Sequence, residues 1–269
     1  MGAGTVVLVG CGQMGSAMLR GWVKSSAADE FHVVEPFGVP TSVTGIDRIH
    51  AYRTIGEVDD GLAADAVVFA VKPQVADEVV PGYRRLVRPD TVFMSIMAGK
   101  TIAGLARHLG DAAIVRVMPN TPAAIGRAIS VACPNPRVSA PQRALCDELL
   151  AAIGASTWVT DEALMDAVTA VSGSGPAYVF LLIETLAAAG EKAGLPADLA
   201  LRLARDTVAG AGELARQSSD SPARLREAVT SPGGTTRAAL DVLMGDAGLA
   251  GLMDEAIAAA TRRSRELAT

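Results

Sequence analysis

Aromatic side chains make up only 4% of this 269-residue chain: two tryptophans, three tyrosines and five phenylalanines. Half of the residues are nonetheless hydrophobic, so the core has to be built from Ala, Val, Leu and Ile, which suits close-packed helices and parallel strands. The three cysteines, Cys11, Cys133 and Cys146, are odd in number and irregularly spaced. That pattern excludes a disulfide framework and a metal knuckle, and a reducing, cytoplasmic compartment is expected. No basic run tracks a phosphate backbone and the formal charge is −5, which argues against nucleic acid; Arg262, Arg263 and Arg265 suit the end of a last helix better. No uninterrupted apolar run reaches the roughly 20 residues of a bilayer span, and no charged leader with a cleavage site opens the chain. A soluble protein without a membrane partner is therefore expected.

Hydrophobic periodicity divides what is there into two regions. Strand-like runs at Thr5–Val9, Phe31–Glu35, Ala66–Val71, Thr91–Ile96 and Ala113–Met118 alternate with helical patterns at Met14–Val23, Ala76–Val87 and Ile102–Leu109. Ile129–Ala132, a helix at Gln142–Ile153 and a last strand near Thr157–Val159 follow. Strands alternating with helices of this length predict an α/β, doubly wound and mainly parallel sheet. From Asp161 onward every pattern is helical: Ala163–Val171, Ala177–Ala193, Leu199–Arg216, Ala223–Val229, Thr235–Met244 and Leu249–Leu267. The helix from Ala177 is apolar almost all round and needs cover on every side, which a second subunit supplies most economically. The expected domains are 1–160, a dinucleotide-binding unit, and 161–269, an all-α dimerisation and substrate unit.

Gly10-Cys11-Gly12-Gln13-Met14-Gly15 joins the first strand to the first helix. In that position the first glycine makes the tight turn, the second admits a pyrophosphate and the third lets helix and strand pack. Glu35 stands twenty residues beyond Gly15, at the end of the second strand. It is read either as the acid that accepts from both ribose hydroxyls of NAD and repels the 2′-phosphate of NADP, or as a solvated strand-end charge. Ligands of such sheets lie outside the carboxyl ends of the strands. The loops there carry Ala70-Val71-Lys72-Pro73, Met97-Ala98-Gly99-Lys100 and Met118-Pro119-Asn120-Thr121-Pro122.

Within the helical region, Val229-Thr230-Ser231-Pro232-Gly233-Gly234-Thr235-Thr236 opens a helix. It reads as an anion seat, with the N–H groups of Gly233, Gly234, Thr235 and Thr236 converging on a carboxylate or phosphate. The plainer reading is an interhelical turn in which Thr235 or Thr236 is the N-cap. His32, His50 and His108 fall outside all these motifs and are read as structural or surface residues, and no metal site is expected. Cys11 is read as a small filler within the loop.

Taken with Met-Pro-Asn-Thr-Pro-Ala at 118–123, Asp-Ala-Val-Thr-Ala-Val-Ser-Gly-Ser-Gly-Pro-Ala-Tyr at 166–178 and the Ser-Pro-Gly-Gly-Thr-Thr loop, the chain resembles Δ1-pyrroline-5-carboxylate reductase over nearly its whole length. The resemblance implies reduction of L-1-pyrroline-5-carboxylate to L-proline by NADPH or NADH, on a Rossmann domain followed by a helical dimerisation domain. It further implies a homodimer with active sites at its interface, often five dimers in a ring. By position, Ser231, Gly233, Gly234 and Thr235 would hold the substrate carboxylate, and the Thr236 hydroxyl would bond the ring nitrogen as the catalytic contact. Gly10, Gly12, Gln13, Met14, Gly15, Glu35, Ala70, Val71, Lys72, Pro73, Ala98, Gly99 and Asn120 would hold the cofactor. Two places depart from the family: Glu35-Pro36 stands where Asn, Ser or Arg is common, and Ser219-Asp220-Ser221 where Glu-His precedes proline. Competing readings are a β-hydroxyacid-type dehydrogenase, for which only Lys192 is available as a helix-borne lysine, and a non-catalytic nucleotide sensor.

Overall fold

The opening apolar run forms β1 (Ala3–Val9), in which Val6, Val7, Leu8 and Val9 are all buried. A strand covered on both faces is what a parallel sheet flanked by helices requires. The structure, a computed structural model, describes residues 3–268; Met1, Gly2 and Thr269, at the ends of the two expected domains, lie outside the described residues. The other strands are β2 (Ala28–Val34), β3 (Ile49–Tyr52), β4 (Ala66–Phe69), β5 (Val92–Ser95), β6 (Ala113–Met118), β7 (Ala128–Pro134) and β8 (Gly154–Trp158). They form one sheet in the order β3-β2-β1-β4-β5-β6-β7-β8, parallel throughout except for the antiparallel β6–β7 pair. The doubly wound expectation is met.

The helices are α1 (Gln13–Ser25), α2 (Ala76–Val79), α3 (Ile102–Leu109), α4 (Ala140–Ala151), α5 (Met165–Val168), α6 (Gly175–Lys192), α7 (Ala197–Gln217), α8 (Pro222–Ala228), α9 (Thr235–Leu243) and α10 (Leu249–Leu267). Three expectations are corrected. β3 went unread. The helix expected over 76–87 is the single turn α2 between two 3-10 segments, because Pro81 removes an N–H and clashes with the turn before it. The helix expected over 163–171 is a 3-10 turn, α5 and a five-residue π-turn, Thr169–Gly173.

The scarce aromatics sit at the centres of the two layers covering the sheet. On one side Trp22 of α1 is wholly buried, stacks on Phe31 at 6.1 Å and donates its Nε1 hydrogen to the Leu149 carbonyl of α4 at 2.9 Å. On the other, Phe69 meets Tyr83 edge-on at 5.4 Å and stacks on Phe93. Toward the far edge, the buried Arg116 of β6 pairs with Glu162 at 3.0 Å, and the same carboxylate oxygen accepts the first N–H of α3, from Ile102. That one carboxylate ties β6, α3 and the segment after β8 together.

Contacts divide the chain into two compact units, one running to Gly173 and taking in the tail from Ala260, the other Ser174–Ala259. The segment after β8 therefore belongs with the sheet, although the strand pattern ends near residue 160. Met165 packs on Met118, Val131 and Cys133, and Asp166 accepts from the Ser264 hydroxyl at 2.7 Å. In the second unit α6 and α7 pair, and among the described residues the buried apolar side chains there are Ala187, Ala200 and Ala204. The large ones face outward, Phe180 and Leu181 each 57% exposed. The helical stretch Glu162–Lys192, although Asp166 and Glu184 interrupt its apolar run, is by length and composition alone long and apolar enough to cross a membrane.

Candidate active site

The carboxyl ends of β1, β2 and β4 lie side by side, and the glycine loop is held between its neighbours. Gly10 donates to the Val34 carbonyl at 2.9 Å, and Ala70 donates to the Val9 carbonyl at 2.7 Å. Each glycine of the motif has its own reason. Gly10 has φ +90°, and a Cβ there would stand 2.8 Å from the Ala70 carbonyl oxygen. A Cβ on Gly15 would stand 2.3 Å from the Gly10 oxygen, so it permits α1 to lie against the strand. A Cβ on Gly12 would meet no protein atom within 4 Å, and its φ of −66° is open to any residue. Among the described residues no contact requires glycine at 12, and the space above the loop is open. Gly12 is also the N-cap of α1, makes no side-chain cap, and is followed by no acid in the first turn. The positive end of the helix thus faces that space, as a pyrophosphate seat needs.

Glu35 is anchored to this loop. Its Oε2 accepts the Cys11 N–H at 2.7 Å and its Oε1 the Phe37 N–H at 3.2 Å. The reading of Glu35 as a solvated strand end does not describe these bonds. Burial, and then the charge of Glu35, push the Cys11 thiol up to about 11, so it stays protonated at neutral pH and acts as a filler. Gly10, Gly12, Glu35, Ala70, Val71 and Lys72 line a cavity of about 680 Å³ beside the loop. Such a volume suits a cofactor-sized ligand.

The other residues expected at the cofactor do not line that cavity. Gln13, Met14 and Gly15 form the first turn of α1, and Pro73 opens a 3-10 turn. Ala98 is exposed on the β5 loop. Gly99 has φ +76°, and a Cβ there would lie 2.7 Å from the Leu267 carbonyl. Asn120 is buried; its Oδ1 accepts the Ile129 N–H at 3.1 Å and its Nδ2 reaches Ser172 at 3.4 Å. A Cβ on Gly173 would lie 3.3 Å from Met118 Sδ. The motifs at 118–123 and 166–178 meet here, at the π-turn. π-turns recur at functional sites.

In the helical unit, the Ser231 carbonyl accepts the Gly234 N–H at 3.1 Å, with Pro232 and Gly233 between them and φ +68° at Gly233, the signature of a type II turn. Gly234 is the N-cap of α9, without a side-chain cap. Thr235 and Thr236 are therefore the first two residues inside the helix, not its cap. The anion-seat expectation is corrected in two respects. The Gly234 N–H is taken by the turn, which leaves Gly233, Thr235 and Thr236 as donors. Conformational freedom is needed at Gly233; Gly234, at φ −80°, is glycine because a Cβ would press to within 3.2 Å of the Ser231 carbonyl, with its hydroxyl closer still. A cavity of about 370 Å³ between α8 and α9 is lined by residues flanking this turn, Thr230 and Arg237 among them. Asp220 is exposed, its N–H bonded to Ser218 Oγ.

Sequence reasoning missed Arg53 and Thr54, which follow β3 and line the larger cavity with Glu35. Four residues with one alternation are too short a signal for β3. The strand order of doubly wound sheets, which places a third strand outside β2, could have found it.

Comparison with known proteins gives a match over each of the two regions. Residues 162–267 match the family model for pyrroline-5-carboxylate reductase dimerisation. Residues 5–99 match the model described as NADP oxidoreductase, coenzyme F420-dependent. The chain is 38% identical to the pyrroline-5-carboxylate reductase of Pisum sativum over 263 residues, covering 98% of this chain and 96% of that one. Among solved structures, the pyrroline-5-carboxylate reductase of Coxiella burnetii superposes with a TM-score of 0.89 at 30% identity over 99% of both chains. The Plasmodium falciparum pyrroline carboxylate reductase with NADP bound gives 0.82 at 28% identity over 98% of both.

The separate roles of Gly12 and Gly15 can be measured. Gly12→Ala should keep the melting temperature close to that of the parent and weaken dinucleotide binding at least about tenfold, roughly 1.4 kcal/mol. Gly15→Ala should instead lose about 1–3 kcal/mol of stability by overpacking. Parent-like affinity in Gly12→Ala, read by fluorescence titration, would remove Gly12 from the pyrophosphate seat.

Proposed function

Because the chain belongs to the pyrroline-5-carboxylate reductase family and reduces L-1-pyrroline-5-carboxylate to L-proline with a nicotinamide dinucleotide, we propose how its own residues divide that work. The Gly10–Gly15 loop and the start of α1 hold the pyrophosphate, with Glu35 on the ribose and Val71, Lys72, Ala98, Gly99 and Asn120 along the remainder. The observation that carries this reading is the empty space over Gly12, which a side chain would fill and nothing in the protein occupies. Bound there, the reduced nicotinamide supplies a hydride.

The turn before α9 orients the substrate. Ser231, Gly233 and Thr235 hold its carboxylate at the positive helix end, with Gly234 keeping the turn tight, and the Thr236 hydroxyl bonds the ring nitrogen. A cyclic imine protonated at nitrogen is already an electrophile. When C5 receives the hydride, the C=N π electrons become the nitrogen lone pair, so no side chain has to act as an acid at that step. Positioning is what the protein contributes. Lys192, the lysine a β-hydroxyacid-type mechanism would need, is the last residue of α6 and exposed.

The working unit is a homodimer with active sites at its interface, built through residues 161–269, while residues 1–160 bind the dinucleotide. The outward apolar side chains of α6 and the dimerisation match over 162–267 support this. Assembly of five dimers rests on the family resemblance alone. The cytoplasm is the compartment proposed, supported by three buried cysteines that are all free thiols.

Thr236→Ala should lower kcat/KM for pyrroline-5-carboxylate about tenfold to a hundredfold, the worth of one hydrogen bond of about 1–3 kcal/mol, with cofactor affinity barely changed. Full efficiency in that variant would take the hydroxyl out of the reaction.

Glu35 and Arg53 bring opposite charges to one cavity. The Glu35 carboxylate repels a 2′-phosphate, so NADH should be at least competitive with NADPH even with Arg53 in the same lining. Glu35→Ser should shift the NADPH/NADH efficiency ratio upward about tenfold, and Arg53→Ala should shift it downward. Ratios that do not move in either variant would place the 2′-position elsewhere.

A further inference from the structure

The outer edge of the sheet brings together three ligating side chains that the reductase reaction does not use. β2 and β3 pair in parallel with His32 opposite His50. Side chains alternate along a strand, so Glu30 and His32 on β2 share one face with His50 and Tyr52 on β3. Phe31 and Val33 point the other way, into the core beneath α1. On the shared face, His50 Nε2 lies 3.4 Å and His32 Nε2 3.6 Å from the same oxygen, Glu30 Oε2. All three ligand atoms are within 4.8 Å of one another.

The two distances to Glu30 are close to the edges of a metal tetrahedron. Bonds of about 2.0–2.2 Å in tetrahedral geometry put neighbouring ligand atoms about 3.3–3.6 Å apart, so small side-chain rotations would close the site without moving the backbone. A second observation points to a ligand. Among the described residues, the Nε2 atoms of His32 and His50 are both hidden from solvent and make no hydrogen bond of good geometry, with the Glu30 carboxylate oxygen at 3.6 and 3.4 Å, and the His32 side chain is only 10% exposed. Buried polar atoms are rarely left so. His32 Nδ1 is 3.1 Å from the Tyr52 hydroxyl, the outer contact that fixes a ligating imidazole's orientation and leaves Nε2 facing inward. Glu30 and His50 are half-exposed, giving an ion a way in and a water a fourth position.

We propose that Glu30, His32 and His50 bind one divalent transition-metal ion, Zn²⁺ by the chemistry of two imidazoles and a carboxylate, with water completing the tetrahedron. The ion clips the four-residue edge strand β3 to β2. Because Arg53 and Thr54 follow β3 directly into the dinucleotide cavity, the clip steadies one wall of that cavity. The reduction itself does not pass through the ion, and the proposal stands apart from the assignment of Thr236 and the glycine loop.

The test uses untagged, chelator-treated full-length enzyme titrated with Zn²⁺ by calorimetry, and with Co²⁺ by visible absorption. One Zn²⁺ per chain should bind with a Kd of about 10 µM or tighter. Co²⁺ should give the intense bands of a tetrahedral site, and the melting temperature should rise by several degrees at a hundredfold excess over Kd. His50→Gln and Glu30→Gln, both at half-exposed side chains, should melt like the metal-free parent. Each should weaken Zn²⁺ at least tenfold and, at the Zn²⁺ concentration used for the parent, reduce the thermal shift to about half or less. Absence of saturable Zn²⁺ binding in the parent would overturn the proposal. So would parent-like affinity in either variant, which would place the ion elsewhere.

Discussion

Small side chains inside and large ones outside is the reverse of how a self-sufficient helical unit packs, and the second unit of this chain is built that way. α6 and α7 approach through Ala187, Ala200 and Gly190, where a Cβ on Gly190 would already lie 3.4 Å from that of Ala200. The side chains able to stabilise the unit by burial, worth about 1.5–3 kcal/mol each when fully covered, are left at the surface: Val179, Phe180, Leu181, Leu182 and Leu186 on α6 alone. Their cover has to come from outside the unit. The same arrangement makes Glu162–Lys192 resemble a membrane span by composition. The match of 162–267 to a dimerisation family favours a second copy of the chain over a bilayer. The turn that opens α9 belongs to this unit, so the substrate seat proposed there depends on whatever completes it.

The sheet unit is organised on different terms. Its sheet carries a buried core on both faces, and the dinucleotide seat proposed for it lies at one point, where the turn after β1 is fixed from both sides by β2 and β4. Gly10 bonds to Val34, Cys11 bonds to the Glu35 carboxylate, and the Ala70 carbonyl oxygen stands 2.8 Å from where a Cβ of Gly10 would be. Glu35 therefore shapes the loop as well as carrying the ribose contact proposed for it, two roles that sequence spacing cannot separate. Removing its charge will disturb both, which is why the ratio of two cofactors is more informative than the rate with either.

Much of this was legible in the sequence, and the omissions have physical causes. The strands β1, β4, β5 and β6 are short apolar runs between turn signals, and α10 was bounded correctly at Leu249–Leu267 because its amphipathic pattern is long. β3 was not legible. It is four residues long, one of its faces carries His50 and Tyr52 where aliphatic residues would have signalled a strand, and its partner is set only by pairing. With β3 went the cavity wall at Arg53 and the juxtaposition of His32 with His50, since residues eighteen apart acquire a relation only through register. The 166–178 motif could be recognised, but not its geometry: a π-turn has no periodicity to read, and its partner Asn120 lies more than fifty residues away.

The claim that most of the account rests on is that the helical unit is completed by a second chain. Light scattering on the purified, active enzyme across a dilution series tests it most directly. The account predicts a mass of at least twice the 27.5 kDa of one chain, with activity falling in step with any dissociation. A monodisperse 27.5 kDa species that retains full pyrroline-5-carboxylate reductase activity would contradict it.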